Sequence, residues 1–162
     1  MKENKIEQLP PEYVEYVKSN IGVPKYIDGQ ELFYRKNACH VNSILFSDFI
    51  YSKTKYNCSI IEGIVVRDDG FAYDHFWNLI RDDKGGTEYV DVTNDAIGTE
   101  KEKNAGKTYY EIKEYGIDEL VEKIKNKEPL FSDEVKKALK NYYNEHPEKE
   151  EEYRKGKQAV EE

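Results

Sequence analysis

The sequence predicts an α+β fold in which a buried, cysteine-bearing helix packs on an antiparallel β-meander, with additional helices towards the C-terminus. Three observations predict it. Apolar residues recur with helical spacing from Cys39 to about Lys53. Three segments rich in β-branched and aromatic residues follow, and short turns containing Asp and Gly separate them. Helical spacing then returns after Tyr115.

The composition narrows the class of protein. The 162 residues fit one domain, expected over residues 1–146, and the charged stretch 147–162 is expected to be a helical or disordered tail. A net charge of −8 argues against nucleic-acid binding, which needs a basic face. No apolar run approaches the roughly 20 residues of a membrane span, and the N-terminus lacks the apolar core of a signal peptide. Two cysteines form no disulfide framework, so a cytoplasmic protein is expected, and the Lys-, Asn- and Tyr-rich composition suggests a bacterium or phage.

The elements follow in order. Residues 10–20 read as a short helix with proline in its first turn, and Gly22 and Pro24 end it. The segment 31–35 is expected to be extended and to lead into the cysteine helix. Asn37 is the expected N-cap of that helix. Cys39 would then lie in the first turn, where free backbone N–H groups and the helix dipole lower a thiol's pKa.

The second half of the chain is predicted as strands and then helices. The strands are expected over residues 59–67, 73–80 and 86–93. Residues 94–108 are polar and are expected to form a loop. Helical spacing follows from Ile117 to Ile124 and again from Val135, where Ser132 is a helix-start signal.

Strand parity provides a test for two polar residues on the second and third strands. Side chains alternate between the two faces of a strand. If a five-residue loop pairs Ile80 with Gly86, His75 lies directly opposite Asp91 on the same face, and opposed Cβ atoms are about 5 Å apart. The same parity turns Asn78 away from His75. A register slip of one residue would separate the pair.

Cys39, His75 and Asp91 therefore supply, in this order, the parts of a nucleophilic cysteine site. A thiolate attacks a carbonyl, an imidazole takes and returns the proton, and a carboxylate orients the imidazole. The backbone N–H of Cys39, with Gln30 or Tyr34, is the expected donor set for a developing oxyanion. Neither a cofactor nor a metal is expected.

The residues that carry this chemistry resemble the transglutaminase-like branch of the papain-like cysteine protease superfamily. In that branch the nucleophilic cysteine starts a buried helix, a histidine begins a strand as His-x-Trp, and an aspartate lies on the next strand. The matching segments here are Cys39-His40-Val41-Asn42, His75-Phe76-Trp77-Asn78 and Val90-Asp91-Val92-Thr93.

This resemblance implies a papain/transglutaminase-like core with Cys39 as nucleophile, His75 as general base and acid, and Asp91 as the orienting group. Trp77 would wall the site, and Asn42 is a further candidate for substrate binding. The implied activity is that of a small peptidase, amidase, deamidase or acyltransferase, with a protein or peptide substrate. The extra domains of the large calcium-dependent crosslinking enzymes are not expected.

Other interpretations stay open at this point. Cys39 could be a small core residue, and Asp91 could merely end a strand. A zinc site at Cys39, His40 and His75 would lack a fourth ligand at recognisable spacing. A non-catalytic protein-binding module, such as a phage or bacterial inhibitor or immunity-type protein, is the competing function, because the chain is acidic and rich in tyrosine, a residue favoured in interfaces.

Overall fold

The computed structural model describes residues 1–149. The helices are α1 (Pro11–Ser19), α2 (Cys39–Thr54), α3 (Glu100–Asn104), α4 (Ile117–Lys125) and α5 (Asp133–Glu145), with a π-helix at Thr93–Ile97. The strands are β1 (Lys2–Asn4), β2 (Lys25–Ile27), β3 (Gln30–Leu32), β4 (Asn57–Arg67), β5 (Ala72–Arg81), β6 (Thr87–Val90) and β7 (Lys107–Tyr115). The mixed α+β class is confirmed.

Five strands form one antiparallel sheet in the order β1-β7-β4-β5-β6, and β2 and β3 form a separate hairpin. Helix α2 packs on one face, where the buried Asn78 amide donates to the Ser43 carbonyl and the Ser47 hydroxyl at 3.0 Å each. Helix α5 packs farther along the same strands, against Ile64 and Ala72. The opposite face buries a smaller cluster that includes Ile61, Val65, Trp77, Leu79 and Tyr109.

The cysteine helix and the meander β4-β5-β6 are as predicted, but the predicted N-cap is wrong. The N-cap is Ala38, and no side chain caps the helix. Asn37 instead has a left-handed backbone with φ of 58°, a conformation that asparagine tolerates better than most residues. The first backbone N–H groups of α2 therefore keep no side-chain acceptor.

The predicted register of the β5–β6 hairpin is wrong by two residues. Arg81 pairs with Thr87, and Leu79 pairs with Tyr89. The loop has the expected five residues but begins at Asp82, whose carboxylate accepts from the backbone N–H groups of Lys84 (2.9 Å) and Gly86 (2.7 Å). A shift of two preserves parity, so His75 and Asp91 still share a face.

Strand β6 is also shorter than expected. It ends at Val90 rather than continuing to residue 93, and the chain turns into the π-helix. Strand β6 therefore pairs with β5 only from Asn78 to Arg81. The start of α2 lies along the edge of β5 beyond this pairing. There the backbone N–H of Phe76 faces the Cys39 thiol and helps to lower its pKa.

Two strands of the five-stranded sheet escaped the sequence analysis. Strand β7 follows the segment expected to be one long loop, and β1 pairs with β7 at the edge of the sheet. The segment 94–108 itself contains the π-helix and α3 rather than a loop alone. Of the expected tail, residues 147–149 are helical, and residues 150–162 lie outside the described part of the chain. Within residues 1–149, no helix has both the length and the apolar character needed to cross a membrane.

Candidate active site

Cys39 is the first residue of α2 and is half-buried. Its thiol lies near His75, His40 and the backbone N–H of Phe76, the groups whose charge or hydrogen bonding lowers its pKa. Its own backbone N–H is among the four at a helix start that have no partner within the helix.

His75 lies on β5 and is 7% exposed. Its Nε2 atom is 2.9 Å from the Oδ2 atom of Asp91. Because Nε2 faces Asp91, the other ring nitrogen, Nδ1, is left for the thiol. The ring stacks on Trp77, with centroids 6.2 Å apart, and Tyr73 contacts it edge-on at 5.7 Å. These rings restrict the imidazole to one orientation.

Asp91 follows β6 directly and is 1% exposed. Its Oδ2 atom also accepts from the Tyr109 hydroxyl at 2.5 Å, and its Oδ1 atom accepts from the backbone N–H of Asn94 at 3.1 Å. The carboxylate is thus held from three directions: by β5, by β7 and by the first turn of the π-helix. Three donors satisfy a buried carboxylate that would otherwise be costly to desolvate.

The electrostatics favour a charged pair. Burial by itself would raise the pKa of the Cys39 thiol, but the charge of His75, together with hydrogen bonds from His40, His75 and the Phe76 backbone, lowers it to about 7. Burial opposes protonation of His75, yet Asp91 and Cys39 raise its pKa to about 10. Burial disfavours the charged form of Asp91, but His75 and Tyr109 hold its pKa below the usual value. Near neutral pH these shifts favour a thiolate beside an imidazolium.

Three of the four predicted oxyanion or substrate-binding residues are fully buried. The amide of Asn42 bonds to both backbone groups of Arg35 and to Thr93 Oγ1. The hydroxyl of Tyr34 has no hydrogen-bond partner within the described residues. Both side chains face the interior around α2, so neither is placed to contact a substrate in this structure.

Trp77 lies beside the site but cannot touch substrate directly, since it is fully buried and its Nε1 donates to Asn4 Oδ1 at 2.9 Å. It supports His75 from behind. Gln30 is half-buried on β3 and remains a prediction as an oxyanion donor. The backbone N–H of Cys39 remains the better placed group, because it belongs to the residue that would attack.

Two residues of this arrangement escaped the sequence analysis. Tyr109 comes from the unpredicted strand β7, so no sequence signal placed it near Asp91. His40 follows Cys39 in α2 and helps to lower the pKa of its thiol, whereas the sequence analysis considers it only as a candidate zinc ligand. Its adjacency to Cys39 at a helix start was the available signal.

A zinc interpretation of the site has little support. Within residues 1–149, no three or more His, Cys, Asp or Glu side chains are grouped so that they could hold a metal ion.

Comparison with protein-family models, with curated proteins and with solved structures found no match to this chain.

Proposed function

We propose that this chain is a cysteine-dependent hydrolase or acyltransferase that acts on the carbonyl of an amide or peptide bond, or of a glutamine side chain, through a thioester on Cys39. The observation that carries the proposal is the convergence of three groups: Cys39 and His75 are close enough to shift each other's pKa, and His75 Nε2 is 2.9 Å from Asp91 Oδ2. Residues so distant in sequence have no structural need to converge, and perturbed pKa values cluster at functional sites.

The first half of the reaction follows from the charged pair. The Cys39 thiolate attacks the carbonyl carbon, and the carbonyl electrons move to oxygen. The backbone N–H of Cys39, at the positive end of α2, stabilises that oxyanion. His75 then gives its proton to the departing nitrogen as the C–N bond breaks, which leaves a thioester and a neutral imidazole.

The second half returns the enzyme to its starting state. A water or an amine attacks the thioester, and the neutral His75 imidazole takes its proton. The C–S bond breaks, and the thiolate is restored beside the imidazolium. Asp91 stays ionised throughout: it orients the imidazole through Nε2 and stabilises its positive form.

The architecture around the site supports placement in the papain/transglutaminase-like group. Helix α2 begins at its cysteine and packs on the sheet whose strand β5 carries the histidine, and the aspartate follows the next strand. This is the arrangement that the resemblance implies. The family assignment is part of the proposal.

Labelling of the two thiols tests the proposal. At pH 7 we expect iodoacetamide to modify Cys39 at least about a thousand-fold faster than Cys58, because reactivity follows the thiolate fraction. In denaturant both thiols should react alike. With p-nitrophenyl acetate as a generic acyl donor, we expect a burst of p-nitrophenolate and an acetyl adduct on Cys39 by mass spectrometry.

Matched variants complete the test. Cys39→Ala should abolish the burst while leaving the melting temperature nearly unchanged, and Cys58→Ala should keep the burst. Slow, equal labelling of both thiols in the folded protein would contradict the proposal. That result would favour the non-catalytic binding module, whose contacts would include Tyr26 and Tyr51, the tyrosines that are exposed in the described part of the chain.

A further inference from the structure

A small cavity lies beside His40, the residue that follows Cys39 in α2. It has a volume of about 160 Å³ and lies between α2 and α4. His40 and Ile44 line it from α2, and Leu120 and Ile124 line it from α4. A larger cavity of about 500 Å³ lies between α1 and the π-helix, but none of its lining residues contacts the thiol.

His40 connects this cavity to the chemistry. It directly follows Cys39 in α2, lines the cavity, and is one of the groups that lower the pKa of the thiol. Its ring also contacts that of Phe76, with centroids 6.4 Å apart. A group in the cavity would therefore lie within one side chain of the attacking sulfur.

The size and lining of the cavity define what it accepts. Sites for whole small molecules usually occupy about 300–1,000 Å³, so about 160 Å³ suits a single side chain of a longer substrate. The aliphatic groups of Ile44, Leu120, Ile124 and Leu130 dominate the interior. Three charged residues, Lys123, Lys127 and Glu128, complete the lining and would discourage a second apolar group at the mouth.

The outer wall of the cavity is held in place by the end of α4. Lys127 has a left-handed backbone with φ of 53°, and its N–H bonds to the Ile124 carbonyl while that of Glu128 bonds to the Lys123 carbonyl. These two bonds form a Schellman motif. The Lys125 ammonium also pairs with Asp28 at the β2–β3 turn. The cavity is thus formed before any substrate arrives.

We infer that this cavity is a specificity pocket, which receives an apolar side chain of a peptide substrate next to the carbonyl that Cys39 attacks. The inference rests on the proposed function and narrows its substrates to peptides or proteins with an aliphatic or aromatic residue at that position. Burial of such a side chain against the aliphatic lining provides the binding free energy.

Two probes that differ only in one side chain test the pocket. N-acetyl-leucine chloromethyl ketone and N-acetyl-glycine chloromethyl ketone alkylate a thiol by the same displacement of chloride. We expect the leucine probe to react with Cys39 about tenfold faster or more, the range that small apolar differences produce in pockets. Iodoacetamide, measured in parallel, reports the reactivity of the thiol itself.

Leu130→Asp is the variant of choice, because Leu130 is 39% exposed and can be changed without opening the core. It should reduce the ratio of the leucine-probe rate to the glycine-probe rate to about threefold or less, with both rates measured relative to the iodoacetamide rate of the same variant. Val23→Asp is the matched control: Val23 is 43% exposed and does not line the cavity, so the preference should persist.

The possible failures are distinguishable. Fast iodoacetamide labelling without a leucine preference, or a preference that survives in Leu130→Asp, would overturn the pocket alone. Slow iodoacetamide labelling of Cys39 would overturn the proposed function and the pocket with it.

Discussion

The two cysteines carry the same side chain, but their surroundings shift its pKa in opposite directions. Cys58 lies near the start of β4 and is buried against the middle of α2, where its sulfur is 3.5 Å from the Ser47 hydroxyl. Burial raises its thiol pKa to about 12, and hydrogen bonds with Ser47 and Asn78 offset this only in part. Cys39 is penalised by burial too, yet its pKa falls to about 7.

The charge beside each sulfur explains the difference between the two thiol pKa values. Both sulfurs have neutral hydrogen-bond partners, but only Cys39 has an imidazole whose positive charge a carboxylate stabilises. A neutral donor cannot compensate for desolvation of a thiolate, whereas a nearby cation can. The contrast between the two thiols should therefore shrink when the His75–Asp91 pair is weakened.

The largest effect is expected for His75→Gln. Without the cation, the pKa of Cys39 should return to about 8.5 or above, and iodoacetamide labelling at pH 7 should slow by about 10- to 100-fold. In the unaltered protein the labelling rate should rise with pH to half its maximum near pH 7 and then level off. His146→Gln, at the C-terminal end of α5, should keep that profile. An unchanged profile in His75→Gln would show that the imidazole does not activate the thiol.

Asp91→Asn should have the next largest effect. Asp91 raises the pKa of His75, so without its charge His75 loses its proton at lower pH and the thiolate loses its cation. The midpoint of Cys39 labelling should move upwards by about one pH unit, and the rate at pH 7 should fall by about fivefold. Asp48→Asn, on the exposed side of α2, serves as the control. The pKa of His75, measured by NMR titration, should fall in parallel. An unchanged pKa would refute the coupling between Asp91 and His75.

Tyr109→Phe should have the smallest effect. It removes one donor from Asp91 while leaving the charge, so the pKa of Asp91 should rise and the labelling rate of Cys39 should fall by about two- to threefold. The free energy of unfolding should fall by about 1 kcal/mol, the net value of one hydrogen bond. Tyr110→Phe, the next residue on β7, should change neither quantity appreciably. A loss as large as that of Asp91→Asn would mean that Tyr109 does more than position the carboxylate.

The sequence was sufficient to place His75 beside Asp91 because their common face depends on parity more than on register. Parity placed His75 and Asp91 on one face, and the two-residue error in the hairpin left that face unchanged. The error arose because the Asp82 carboxylate closes the turn on backbone N–H groups two and four residues later. Turn composition alone did not distinguish Arg81 from Asp82 as the first loop residue.

Strand β7 escaped prediction because a bulge breaks its alternation. Gly63 of β4 pairs with Glu111 and Glu62 pairs with Lys113, so Ile112 is an extra residue on β7. Tyr109 and Tyr115 consequently pack in clusters on opposite faces despite their even spacing. A period-two pattern cannot survive such an insertion.

Gly63 explains why the bulge is possible at this position. A Cβ there would lie 2.0 Å from the Tyr110 carbonyl oxygen and 2.7 Å from the Trp77 ring. A larger residue would push β7 or Trp77 away. Contacts of this kind depend on the folded strands, so no local pattern in the sequence predicts Tyr109 as a partner of Asp91.

The buried amide of Asn42 connects the segments next to Cys39 and Asp91. Its amide joins Arg35, on the segment that precedes α2, to Thr93, at the start of the π-helix. The first of these segments leads into Cys39 at the start of α2, and the second follows Asp91. A buried side chain outside the Cys39–His75–Asp91 cluster thereby links the two segments that carry its ends, and the spacing of the candidate site depends on this link.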